Sequence, residues 1–143
     1  MSPRVEAFYR RGQGKEPALL SSPEEIDAMI DELLTGSVYE NMATLYSLDR
    51  PLLPSGQPDH QLLVGVDRAL RVGLVGFMDA DGNVITVGPP DGRDEAVYHC
   101  TGEITEFPGP SEISVDLVRR AAKEFLTSGG QRPTSVQWQV PGY

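Results

Sequence analysis

Hydrophobic positions recur along this chain with two periods, and each period assigns a kind of element. Between Pro23 and Thr35, Ile26, Met29, Ile30, Leu33 and Leu34 repeat at three- and four-residue intervals, as on one face of an α-helix. Ser22-Pro23-Glu24-Glu25 precedes them as a capping box with proline at the first helical position. Gly36 follows as the closing glycine. The same period returns at Leu117, Val118, Ala121, Ala122, Phe125 and Leu126. Ser114 is the N-cap, Asp116 puts a negative charge where the helix dipole favours it, and Ile113 and Val118 have the spacing of a hydrophobic staple. Gly129-Gly130 ends this helix and Pro133 forbids its continuation, so the spacing predicts a helix over Val115–Ser128.

Elsewhere the pattern is that of β-strands. Val5–Tyr9 reads as a first, edge strand, followed by a flexible GQGKEP. Residues 41–48 alternate, 61–66 form an apolar run, and 70–78 place Leu70, Val72 and Leu74 on one face. Asp81-Gly82 is a two-residue hairpin signal, with Val84, Ile85 and Val87 on the return strand. Residues 96–101 make a further strand, 103–110 a polar approach to the second helix, and Val136 with Trp138 a last short strand. Strands bracketed by two helices predict an α+β fold: a mainly antiparallel sheet with two amphipathic helices packed on it. The expectation is one domain over residues 1–143. In residues 1–20, Arg4, Arg10, Arg11 and Lys15 make a basic leader that frays or adds a strand, and its start lacks the apolar stretch of a secretory signal.

Charge changes the picture. The formal net charge is −9, which disfavours nucleic acid and anionic membranes as partners. No apolar run is long enough to cross a bilayer. Residues 79–116 hold nine acidic side chains against one basic, Arg93, whereas residues 117–143 carry one acidic against four basic. This block suits a basic protein partner. Its candidate contact residues are Asp79, Asp81, Asp91, Asp94, Glu95, Glu103 and Glu106, with Tyr98 as a candidate aromatic anchor. Tyr98 and Trp138 also read as core aromatics.

Catalytic chemistry is sparse. His60 adjoins Asp59, while His99 and Cys100 are strand neighbours whose side chains point to opposite faces. Two histidines and one cysteine are too few for a metal centre, and no glycine-rich phosphate loop is present. Neither metal nor cofactor is expected. The lone Cys100 has no internal disulfide partner, which fits a reducing cytoplasm. Glu103 with Glu106, or Asp91 with Asp94, could pair as acid and base, but these positions read as solvated.

The order and spacing of several short segments resemble an immunity protein family of bacterial polymorphic toxin systems. The segments are SSPEEIDAMIDELL at 21–34, DHQLLVGVD at 59–67, EFP at 106–108, SEI at 111–113, DLVRRAAKEFL at 116–126, GG at 129–130 and RPTSVQW at 132–138. The resemblance runs from about Ser21 to Gln139. It departs from the family pattern at Ser114, often proline there, and around Val84–Val87, often more aromatic. It implies a cytoplasmic protein without catalysis that neutralises a cognate toxin, a nucleic-acid deaminase before a nuclease, by occluding a basic cleft. Two rival readings stand beside it. A small enzyme using Asp59-His60 or the carboxylates near Glu103 would show a deep pocket around them. A peptide-binding adaptor would need a free, uncharged sheet edge.

Overall fold

Both helices begin where a serine satisfies free N–H groups. In this computed structural model, which describes residues 3–10, 13, 15–101 and 103–141, helix α1 spans Pro23–Thr35 and helix α2 spans Val115–Thr127. Arg11 of the basic leader lies outside the described residues. Ser22 Oγ accepts from the Glu25 N–H at 3.2 Å, and Ser114 Oγ from the Leu117 N–H at 3.3 Å. The ends of the helices differ. At α2 the Gly130 N–H reaches the Phe125 carbonyl at 2.9 Å and the Gly129 N–H the Leu126 carbonyl at 3.3 Å. With φ of 74° and 91° at the two glycines, this is a Schellman motif. At α1, by contrast, Gly36 is extended, with φ of −88°. The Arg10 guanidinium closes that end instead, donating to the Glu32 carbonyl at 2.8 Å. Gly36 is small because a Cβ there would sit 2.8 Å from Arg10 Nη2.

Ten strands follow in chain order. They are β1 Val5–Phe8, β2 Ala18–Leu20, β3 Met42–Ser47, β4 Gln61–Asp67, β5 Val72–Asp79, β6 Gly82–Thr86, β7 Glu95–Cys100, β8 Glu103–Pro108, β9 Ile113–Ser114 and β10 Trp138–Gln139. A 3-10 turn, Val38–Glu40, joins α1 to β3. The main sheet runs β10-β6-β5-β4-β3-β1-β2, antiparallel throughout, with β9 beside the start of β5. Strands β7 and β8 form a separate hairpin. The fold class is therefore α+β, as the pattern predicts.

Four local expectations are corrected. β1 is internal, because the three-residue β2 covers its outer side. Residues 103–108 are strand β8, not an approach loop. The β5–β6 turn is Ala80-Asp81, since Asp79 pairs with Gly82. Leu70 precedes β5 and is 53% exposed, so it joins neither core.

The alternation of the strands produces two cores. Val5, Ala7, Leu45, Leu62, Val64 and Phe77 face Ile26, Met29, Ile30, Val118 and Phe125 of the helices. On the opposite face Met42, Leu74 and Ile85 meet Ala96, Tyr98 and Phe107 of the hairpin. The hairpin crosses the sheet strands. Tyr98 lies on Gly65 of β4, while Cys100 Sγ is 3.7 Å from Thr44 Oγ1 of β3 and donates to the Phe8 carbonyl of β1. Gly65 is the seat of this crossing, because a Cβ there would stand 2.7 Å from the Tyr98 ring. Gly65→Ala is expected to destabilise the fold by roughly 1–3 kcal/mol, the range for overpacked cores. Measured by urea unfolding, the loss should shrink in a Tyr98→Leu background; strict additivity of the two changes would refute this contact.

Candidate partner-binding surface

The hairpin covers only part of the second face of the sheet. Beyond β8 lies an open trough of about 730 Å³. Phe8, Thr44, Tyr46, Gln61, Leu63 and Met78 form its floor, and Glu103 and Thr105 of β8 form its lip. It continues past Gln61 and Met78 to Asp59 and Asp79 on one side, and along β8 to Phe107 on the other. The floor is mixed. Leu63, Met78 and Phe8 are apolar, while Tyr46 accepts a hydrogen bond from Gln61 Nε2 at 3.2 Å. Burial raises the Tyr46 hydroxyl above the ordinary tyrosine range, so it stays a neutral donor. The one cation on the margin, Arg10, is already engaged by the carbonyls of Tyr9, Glu32 and Glu40.

The acidic residues singled out in the sequence do not form one face. Glu103 and Asp79 flank the trough, with Asp81 on the adjoining turn. Asp91, Asp94 and Glu95 lie in and after the loop that enters β7. That loop is tied to the far end of β5, because Arg93 reaches Asp67, whose neighbour across the sheet is Val72. Val72 and Asp79 bound β5, so the two acidic groups are separated by about 23 Å at ~3.3 Å per residue. Glu106 lies opposite Val97 on the outer face of the hairpin. There Val97 and Ile104 are 40% and 64% exposed. Among the described residues none of these seven carboxylates forms an ion pair. Tyr98 is corrected: it is fully buried, so it is no surface anchor. Its ring faces inward because Gly65 leaves the space for it.

A network of one exposed arginine and two buried partners, Glu112 and Tyr98, holds the loop to the hairpin. Arg93 donates to both Glu112 oxygens, at 2.6 and 2.7 Å, and to Asp67 at 3.1 Å. The Tyr98 hydroxyl donates to Glu112 at 2.5 Å. Burial, then the bond to Glu112, pushes the Tyr98 hydroxyl far above its ordinary range, so it remains a donor at any physiological pH. The sole cation of the acidic block is thus paired with carboxylates of the protein itself. The lone arginine in the block was a signal for such a pair, but its partners Asp67 and Glu112 are 26 and 19 residues away.

The candidate catalytic groups are otherwise occupied. His60 is 5% exposed, and its Nε2 accepts from the Ser47 N–H at 2.8 Å. That bond requires Nδ1 to carry the hydrogen, so the 2.9 Å contact with Asp59 is a hydrogen bond from a neutral ring rather than an ion pair. Asp59 is held in turn by Arg50, which lowers its carboxyl below the usual range and also donates to the Gly130 carbonyl at the end of α2. Cys100 is half-buried, and burial raises its thiol, which keeps it a poor nucleophile. Among the described residues no three His, Cys, Asp or Glu side chains gather as a metal site, and no helix is long and apolar enough to cross a membrane.

His60 makes a pH test. Burial lowers its proton affinity in the fold, against the hydrogen bond to Asp59, whereas the unfolded ring titrates near ~6.5. Above that pH both states are neutral and the contribution is complete. As pH falls below it, the unfolded chain takes the proton first, so stability is lost until the folded ring also titrates. Wild type should therefore lose more stability than His60→Gln between about pH 7.5 and 5.5, read by denaturant midpoint. Equal losses would refute the assignment.

Taken together, the geometry is a hollow on one sheet face, a crossed hairpin and carboxylates that form no ion pair among the described residues. A family model for "Immunity protein Imm1" matches residues 14–140. The chain belongs to this family of immunity proteins. No curated protein matches it significantly.

Proposed function

We propose that this chain binds and neutralises a cognate toxin domain without catalysing a reaction of its own. In this reading the toxin is a deaminase acting on nucleic acid, and inhibition is by occlusion of its basic substrate cleft. The observation that carries the proposal is that the seven carboxylates singled out between Asp79 and Glu106 form no ion pair among the described residues, while the one cation of that stretch, Arg93, is held by Glu112 and Asp67. Carboxylates left without an ion-pair partner complement a cleft built to hold phosphates. The resemblance noted in the sequence supplies the deaminase.

The test uses the toxin domain encoded beside this chain, purified and assayed on single-stranded DNA and on RNA. Equimolar chain should abolish base deamination. Loss of strand cleavage instead would replace the deaminase by a nuclease. Full toxin activity at tenfold excess of the chain would overturn the reading altogether.

A further inference from the structure

We propose that the trough beside β8 is the seat of the interaction, and that its occupant is an extended, lysine- or arginine-bearing segment of the toxin. This rests on the function proposed above and goes further by naming the surface and the chemistry of what fills it.

Three observations converge. The first is an unused strand edge. Among the described residues β8 pairs with β7 alone, and its Thr105 and Phe107 line the hollow together with Leu63 and Met78 of the sheet and Pro141. An extended segment laid along that side meets main-chain groups with no strand partner, the arrangement of strand addition. The second is charge. Glu103 and Asp79 flank the trough and have no ion-pair partner among the described residues, and Arg10 is tied to three carbonyls. A cationic segment meets carboxylates at both margins, and among the described lining residues the one cation, Arg10, has its donors directed at carbonyls. The third is the floor. Apolar Leu63 and Met78 suit the methylene stems of lysine or arginine, whose charged heads then reach the carboxylates. The outer face of the hairpin, with Val97 and Ile104, is the competing surface, but the hollow beside Val97 is smaller, about 200 Å³, and Arg68 lines it.

The experiment measures affinity for an inactivated form of the neighbouring toxin by calorimetry. Four proteins are compared: wild type, Thr105→Trp, Glu103→Lys with Asp79→Lys, and Val97→Asp with Ile104→Asp. Thermal unfolding checks that each still folds. Thr105→Trp fills the trough from its lip, and with the double charge reversal it is expected to weaken binding at least about 100-fold. The outer-face variant should change it less than about threefold. Amide hydrogen exchange on the wild-type complex should show new protection along 103–108. If the outer-face variant abolishes binding while both trough variants bind normally, the inference fails and neutralisation stands. If wild type does not bind the toxin, the functional reading fails and takes the inference with it.

Discussion

Replacing Arg93 by methionine is expected to lower stability by about 2–3 kcal/mol, roughly 5–10 °C in melting temperature for a chain of this size. The reason is asymmetric burial. The Glu112 side chain is 7% exposed, whereas Arg93 is 39% exposed. Removing the arginine strands a carboxylate that water cannot reach, with only the Tyr98 hydroxyl left to it. The loss stays below the ~3–5 kcal/mol of a fully enclosed pair because the guanidinium is partly solvated already. The control is Glu112→Gln in the same background. A neutral amide is cheaper to bury than an unpaired carboxylate, so the double variant should regain at least about half of the loss. Denaturant and thermal unfolding of wild type, both singles and the double decide it. An Arg93→Met change below about 0.5 kcal/mol would show that the network is decorative.

The second large effect is kinetic. Association with the toxin should slow at least about tenfold as salt rises from ~0.1 M to ~1 M, because the screening length shrinks from about 10 Å to about 3 Å. Asp91→Lys with Asp94→Lys should slow encounter further while leaving dissociation within about twofold. These residues lie on an exposed loop roughly a strand length away from the trough, and exposed charges outside the contact act on steering. Stopped-flow mixing at two salt concentrations measures both rates. A salt-independent association rate, unchanged by the reversal, would mean that the acidic loop is merely a solvated surface.

What the sequence disclosed, and what it withheld, follows from the range of each interaction. Ser22, Ser114 and Gly129-Gly130 act within a few residues of themselves, and both helices were legible to within a residue from them. Gly36 looked like the same kind of stop but answers to Arg10, 26 positions away, so its extended conformation carried no local signature. β8 was missed because Glu103 and Glu106 interrupt its apolar alternation; only Phe107 is buried, and the β7 pairing decides its state. β2 offers just three residues and gains its identity from β1. At the candidate surface the acidic block was legible as composition, but its division was not. Glu103 joins Asp79 at the trough only because the hairpin crosses the sheet, and that crossing depends on the fit of Tyr98 over Gly65. No spacing rule reports such a fit.

The pairing of Arg93 with Glu112 and Asp67 has a consequence for the protein in the absence of its partner. Around it Asp91, Asp94 and Glu95 are exposed and form no ion pair among the described residues, so this loop has no charge of opposite sign to offer the same loop of a second copy. Two molecules meeting through this loop repel. If the proposed function holds, this loop gives excess inhibitor no means of drawing its own copies together.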